Sequence, residues 1–243
     1  LPSGGSSSMT LSPDGSTLNE IRARDGRVLE SSASGRRVEV THSVTILDGV
    51  GCYLTESTEK TPGAILNQKT RTWTDGLGRV IRSEDVDGGV TSSAFNDKGQ
   101  ITSVTDPQGR VILYEYNDLG EAEVTALDVN LNGVIDYGGP DLITRSRRFY
   151  SAMAPGLGGP AKVQTEERWL FDGDNPVTVS TQETSPDGRR TWHSDAAGAI
   201  TSSKMVLGAG SGNWTTRTEY PDGSSKVDTY DSALIRSSIL SGG

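Results

Sequence analysis

Residues 74–81 read TDGLGRVI, residues 95–102 read FNDKGQIT and residues 116–123 read YNDLGEAE. In each stretch an Asp or Asn stands three residues before a glycine, and these glycines recur every 21 residues. An Asx residue followed by glycine provides the backbone conformations of a tight turn, and the flanking residues here favour strands. The repeat therefore predicts antiparallel hairpins joined by short turns.

The same turn signals continue along most of the chain. Proline at the second turn position and glycine at the fourth mark residues 12–15, 106–109, 185–188 and 220–223, and an Asp-x-x-Gly turn follows at 195–198. No window carries the apolar spacing of an amphipathic helix. The sequence predicts an all-β fold in which antiparallel β-hairpin repeats form a curved extended sheet, a β-shell segment or a partly closed barrel.

Composition and charge argue against two classes of function. The 243 residues carry a formal net charge of −9, which disfavours nucleic-acid binding because that binding depends on clustered Lys and Arg. No apolar run reaches the roughly 18 residues that a membrane-spanning helix needs. The single cysteine, Cys52, has apolar neighbours at Val50 and Leu54, so we predict a buried thiol rather than a nucleophile.

Composition also predicts the domain organisation. The Gly- and Ser-rich ends are typical of flexible linkers, and we expect the chain to be a fragment or a processed subunit of a longer polypeptide. The predicted regions are a flexible linker at 1–10, an irregular β region at 11–66, the 21-residue repeats at 67–127, an inserted loop at 128–141, further β-hairpins at 142–240 and a tail at 241–243.

The repeated motifs resemble RHS repeats, also called YD repeats, whose pattern is Tyr-Asp-x-x-Gly-Arg followed by an apolar residue. The resemblance is closest over residues 65–130 and weaker at 24–28, 187–200 and 230–231. It departs from the family pattern where Asn replaces Asp and where Gln or Glu replaces Arg. The resemblance implies strips of antiparallel hairpins that build large secreted or surface-displayed shells, which enclose toxins or act in adhesion.

The inserted loop carries a possible metal site. Residues 128–136 read DVNLNGVID, which matches the start of an EF-hand or dockerin-type calcium loop. Oxygen atoms at alternate positions of such a loop converge on one hard cation, and the glycine allows a sharp turn. The expected ligands are Asp128, Asn130, Asn132, the Val134 carbonyl and Asp136, the last directly or through water.

The match to the calcium template ends at its twelfth position. Gly139 stands there instead of the bidentate Glu, and Asp141, two residues later, is the expected replacement. Without that carboxylate the affinity would fall towards a Kd of about 10⁻⁴–10⁻³ M, or binding would be lost. The alternative is a plain polar hairpin turn, because Asn132 followed by Gly133 is itself a hairpin signal. A bound Ca²⁺ would be structural and would suit an extracellular setting.

Few residues have the pattern of a catalytic site. His42 shares the face of an alternating strand with valines and is predicted to be a structural histidine. His193 follows Trp192, with Arg189 nearby, and a polysaccharide lyase would use such groups as base and uronate-neutralising cation. No nucleophile elbow, phosphate-binding loop or zinc-protease motif occurs. The sequence therefore favours a protein without catalytic activity over an enzyme.

Trp214 is the candidate for ligand contact, because it follows the Gly- and Ser-rich residues 208–212 and would stack on a sugar. Taken together, these features predict a non-catalytic structural or interaction segment of a secreted or cell-surface, bacterial-type RHS/YD-repeat protein, stabilised by calcium. A carbohydrate-binding module and a polysaccharide lyase or other glycan-active enzyme are the alternatives. The expected partners are other segments of a longer parent polypeptide or another protein, with a glycan as the alternative.

Overall fold

The computed structural model describes residues 4–14, 16–33, 36–60, 68–169, 175–207, 213–231 and 234–242. These residues form nineteen β-strands and no helix, so the predicted all-β class is confirmed. The described residues therefore contain no helix that is long and apolar enough to cross a membrane. The chain divides into two compact units, Leu1–Val111 and Ile112–Gly243.

Each strand of the first unit pairs antiparallel with the next strand along the chain. Among its described residues no pairing joins the first strand to the last, so the unit is an open sheet. Its strands are β1 (Ser6–Leu11), β2 (Thr17–Arg22), β3 (Val28–Ala33), β4 (Arg36–Leu47), β5 (Val50–Lys60), β6 (Gln68–Thr74), β7 (Val80–Glu84), β8 (Val90–Phe95) and β9 (Ile101–Thr105).

The second unit follows the same rule. From β11 onwards every strand pairs antiparallel with its successor, and no described pairing closes the unit. Its strands are β10 (Val111–Tyr116, beginning at the unit boundary), β11 (Ala122–Asp128), β12 (Leu142–Ala154), β13 (Gly159–Arg168), β14 (Val177–Thr184), β15 (Arg190–Asp195), β16 (Ile200–Leu207), β17 (Asn213–Glu219), β18 (Ser225–Asp231) and β19 (Leu234–Ser241).

The predicted turns owe their shape to one acceptor side chain. Asp75 Oδ1 accepts hydrogen bonds from the backbone N–H groups of Leu77 and Arg79, both at 2.9 Å. Gly78 adopts a φ of 80°, a backbone conformation that is unfavourable for any residue with a Cβ. The guanidinium of Arg79 donates to Asp75 Oδ2 at 2.6 Å. The backbone and then the side chain of Arg79 hold the pKa of Asp75 below its usual value.

The two departures from the family pattern occur together and compensate for each other. Asn96 Oδ1 accepts the same two backbone bonds, and its Nδ2 donates to Gln100 Oε1 at 2.8 Å. Asn117 Nδ2 likewise donates to Glu121 Oε2 at 3.1 Å. An Asn that replaces Asp becomes a donor, and the acceptor four residues later completes the pair. The turns at Asn96 and Asn117 therefore keep the same geometry although their sequences depart from the family pattern.

Exchanging one pair for the other tests this compensation. We expect Asp75→Asn alone to lower the melting temperature, because its amide group would face the Arg79 guanidinium, another donor. Adding Arg79→Gln should recover part of that loss. Thermal melts of the wild type, both single variants and the double variant measure the coupling. Strictly additive changes would contradict it, and the reverse exchange, Asn96→Asp with Gln100→Arg, is the matched control.

Among the described residues, few apolar side chains are buried, and almost all of these lie in the second unit. In the described part of the first unit the only buried apolar side chain is Cys52, at 2% exposure, which confirms the predicted buried thiol. Val44 and Ile46 on β4 are both 75% exposed. The core of the second unit consists of Leu113, Val124, Ala126, Ile143, Ala154, Ala161, Val163 and Trp169. The described part of the first unit therefore has almost no apolar core.

The structure differs from the sequence prediction near the N-terminus. The predicted linker at 1–10 contains most of β1, because Ser6–Leu11 pairs in register with β2. The region at 11–66, expected to be an irregular β region, contains the long hairpin β4–β5. Asp48 and Gly49 join these strands with φ values of 50° and 81°, the positive pair that a two-residue turn of type I′ requires.

Candidate functional site

The predicted calcium loop connects β11 to β12 in the second unit. Leu127 of β11 pairs with Leu142 of β12, so the loop begins and ends on adjacent strands. Asp128, the last residue of β11, is 2% exposed, and Asp141, directly before β12, is 4% exposed. Two buried carboxylates therefore stand at the base of the loop.

Asp128 organises the first half of the loop. Its Oδ2 accepts the backbone N–H of Gly133 at 2.8 Å, and its Oδ1 accepts that of Asn132 at 3.2 Å. Leu131 and Gly133 adopt φ values of 58° and 77°, which bend the chain back towards Asp128. The side chain of Asp128 thus replaces strand pairing where β11 ends.

Asp141 organises the second half. Its Oδ1 accepts the N–H of Val129 at 3.0 Å and its Oδ2 that of Asp136 at 3.0 Å. It therefore ties both halves of the loop together. At the twelfth template position, a Cβ on Gly139 would lie 2.8 Å from the Cβ of Asp136. The loop in this conformation has no room for the Glu of the usual template.

The remaining predicted ligands are more exposed. Asn130 and Asn132 each donate from Nδ2 to Asp136 Oδ2, both at 2.7 Å. Their Oδ1 atoms accept one backbone N–H each, from Asn132 and Val134, and an amide oxygen has a second lone pair for a cation. Val134 is 60% exposed. In the part of the chain that the structure describes, no three His, Cys, Asp or Glu side chains are grouped to hold a metal.

Tyr137 anchors the loop to the sheet. Its hydroxyl donates to Glu115 Oε2 of β10 at 2.7 Å, and its ring packs edge to face with Trp169, with 5.2 Å between the ring centroids. Burial and then the hydrogen bond to Glu115 raise the pKa of Tyr137. Sequence reasoning missed this residue because its two partners are distant in the chain.

A charged cluster lies behind this anchor. Arg145 stacks on Trp169 at 5.0 Å and donates to Glu167 at 2.7 Å. Arg147 donates to the other oxygen of Glu167, also at 2.7 Å. Burial raises the pKa of Glu167, but the hydrogen bonds from both arginines outweigh it and hold that pKa below its usual value. Glu167 thus pairs with both of these arginines.

The lyase candidates are not brought together. His193 lies exposed on β15, opposite Gln182 and Thr201 on its neighbours. Arg189 belongs to the preceding turn, where its backbone N–H donates to Asp187 Oδ1 at 3.1 Å. Among the described residues no hydrogen bond or ion pair links His193 to Arg189. The lyase alternative therefore stays a prediction.

His42 and Trp214 both lie within strands and contact neighbouring strands. Nδ1 of His42 lies 3.1 Å from Thr55 Oγ1 and Nε2 lies 3.1 Å from the Val28 carbonyl, so both ring nitrogens are satisfied. Trp214 lies within β17 opposite Tyr230, and the two rings stack at 5.0 Å and 9°. The preceding residues 208–212 lie outside the described ranges. One face of the Trp214 ring is therefore already occupied.

The turns at Asn96 and Asn117 lie within a stretch that a known family shares. The RHS Repeat family model matches residues 95–126. This segment is similar to an RHS repeat. The matched residues begin at the last residue of β8 and end within β11, so they cover part of the chain, and the predicted calcium loop lies just beyond them. No curated protein sequence matches the chain.

Two solved structures have parts that are similar to this chain. The crystal structure of TcdB2-TccC3-TEV is 13% identical with a TM-score of 0.35, and the match covers 96% of this chain and 16% of that chain. A Photorhabdus luminescens Tc holotoxin pore is 13% identical with a TM-score of 0.31 and the same coverage. This chain thus spans about 16% of the length of either.

Proposed function

We propose that the whole chain is a non-catalytic structural and interaction segment of a longer, secreted or surface-displayed RHS-repeat polypeptide. The observation that carries this proposal is that the turn geometry of residues 95–126 recurs outside them. Asp85 accepts the N–H groups of Asp87 and Gly89, at 3.0 and 2.7 Å, and Asp195 accepts those of Ala197 and Ala199, both at 2.9 Å. The same local device therefore builds hairpins in both units.

The distribution of apolar residues supports a segment that other parts of a polypeptide cover. Stable domains pack two layers of secondary structure around a core. The first unit has one buried apolar residue among those described, while large apolar side chains such as Met9, Val44 and Leu77 are more than 70% exposed. A further layer from the same polypeptide or a partner would bury these side chains.

Hydrogen exchange on the isolated chain tests the segment assignment. We expect the slowest amide exchange in β11 to β13, where buried apolar residues concentrate, and much faster exchange throughout β1 to β9, because that sheet has little core. The readout is peptide-level deuterium uptake measured by mass spectrometry. Equal protection of both units would show that the first unit is stable on its own, and would overturn the proposal.

We also propose that Ca²⁺ stabilises the loop at 128–141. This range contains no Lys, Arg or His. The buried carboxylates of Asp128 and Asp141 accept only backbone N–H groups in the described structure. Buried charges are usually paired or bound to metals. Titration of the chain with CaCl₂ in a calorimeter should show one site and a rise in melting temperature, whereas no heat and no shift would reduce the loop to a polar turn.

A further inference from the structure

Three cations lie side by side on one face of the second unit. Arg190 of β15 stands directly opposite Lys204 of β16, which stands directly opposite Arg217 of β17. Adjacent strands are about 4.8 Å apart, so these side chains form a continuous row across the sheet. Like charges in directly opposite positions destabilise a sheet. This cationic row (Arg190, Lys204 and Arg217) therefore needs an explanation other than stability.

The row is poorly neutralised, although the chain as a whole is acidic. Among the described residues its only ion pair is between Arg217 and Glu219, at 3.1 Å. Other strand cations of this protein share carboxylates, as Arg71 does with Glu56 and Glu84. Arg190 and Lys204 have no such partner in the described part of the chain. Their charge is available to an anion from solution.

The cationic row borders a groove of about 550 Å³. A second row of side chains lies on the same face, two residues further along each strand. It consists of Trp192, Ser202 and Glu219. Leu157, Ile200 and Val206 line the groove as well. The site thus combines cations, hydroxyl and carboxylate groups and an aromatic ring within one concave surface.

One wall of the groove is held in place by a buried carboxylate. Glu183, 1% exposed, accepts the N–H groups of Gly156 at 3.0 Å and Leu157 at 2.7 Å. These bonds hold the β12–β13 turn against Trp192, which lies opposite Glu183 on the neighbouring strand. A groove whose wall is fixed in advance loses little entropy on binding.

We propose that this groove binds a carboxylated polysaccharide. Successive carboxylates of such a polymer would meet the successive cations of the row. The aromatic ring of Trp192 suits the apolar face of a sugar, while Ser202 and Glu219 suit its hydroxyls. The inference goes beyond the proposed scaffold role, which does not depend on it.

An acidic peptide fits the site less well. Extended peptides bind by adding a strand to an open sheet edge. The strands β15, β16 and β17 are each paired on both sides, so their backbone groups are already used. Recognition here depends on side chains and the exposed face of the sheet. That arrangement favours a polymer without a peptide backbone.

Calorimetric titration of the full chain with pentagalacturonate at low ionic strength tests the proposal. We expect one site, with affinity about tenfold weaker in Arg190→Gln and in Lys204→Gln, because each loses one charge-assisted contact. Arg189→Gln is the matched control, since Arg189 is the adjacent arginine but belongs to the turn with Asp187. Absence of binding, or equal losses in the control, would overturn the proposal.

Two further ligands and one stability measurement complete the test. Maltopentaose, which is uncharged, should not bind, and poly-L-glutamate should bind more weakly than pentagalacturonate. Equal binding of maltopentaose would overturn the role of the cations, and equal or tighter binding of poly-L-glutamate would overturn the choice of a polysaccharide. The Arg190→Gln and Lys204→Gln variants should melt no lower than the wild type, because each relieves repulsion within the row.

Discussion

Replacing Asp128 with alanine is expected to lower the free energy of unfolding by about 2–4 kcal/mol, even in the presence of a chelator. The Asp128 carboxylate is 2% exposed and accepts the N–H groups of Asn132 and Gly133. Alanine would remove this acceptor from the Gly133 N–H, would leave the Asn132 N–H with only its bond to Asn130 Oδ1, and would open a small cavity at the end of β11. Urea denaturation of both proteins in EGTA measures the difference. A change below about 0.5 kcal/mol would show that the loop is not organised by this side chain.

Calcium should separate two variants of the loop. At 10 mM Ca²⁺ and a Kd of about 10⁻³ M, binding would stabilise the wild type by about 1.4 kcal/mol. Asp128→Ala and Asn132→Ala should both lose this gain, but Asn132→Ala should cost less stability in EGTA because Asn132 is exposed. Asn117→Ala is the matched control, since Asn117 makes the same bond to the N–H two residues ahead. An undiminished calcium effect in Asn132→Ala would contradict the assigned ligand.

The parts of the fold that follow from the sequence are those held by short-range contacts. The turn at Asp75 is complete within five residues, from its backbone bonds to the contact with Arg79. Spacing of Asp, Asn and glycine therefore predicts the hairpins directly. The pairing of Asn96 with Gln100 is also local, but in the sequence each residue alone departs from the family pattern.

Contacts between strands could not be predicted in this way. The register across a hairpin depends on bulges such as that between Trp73 and Thr74, and a shift of one residue moves a side chain to the other face. The bond from Tyr137 to Glu115 joins residues 22 positions apart. Trp214 likewise stacks on Tyr230 of the next strand. Contacts between residues this far apart in the sequence can be identified only from the structure.

The Gly156→Ala variant is expected to be the most damaging single change in the β12–β13 turn. A Cβ at Gly156 would lie 2.1 Å from Cδ2 of Trp192 and within 2.6 Å of two more atoms of that ring. Either the ring or the turn must move, and movement of the turn breaks the bonds to the buried Glu183. We expect a loss of about 2–4 kcal/mol in the free energy of unfolding.

Gly159→Ala is the matched control for this prediction. It lies in the same hairpin, and a Cβ there would meet no atom within 4 Å. Urea denaturation followed by tryptophan fluorescence should show a large loss for Gly156→Ala and a small one for Gly159→Ala. Near-UV circular dichroism should also change in Gly156→Ala, because Trp192 would leave its packed position. If both variants were equally stable, the turn would not rest on Trp192, and the groove beside the cationic row would lack its fixed wall.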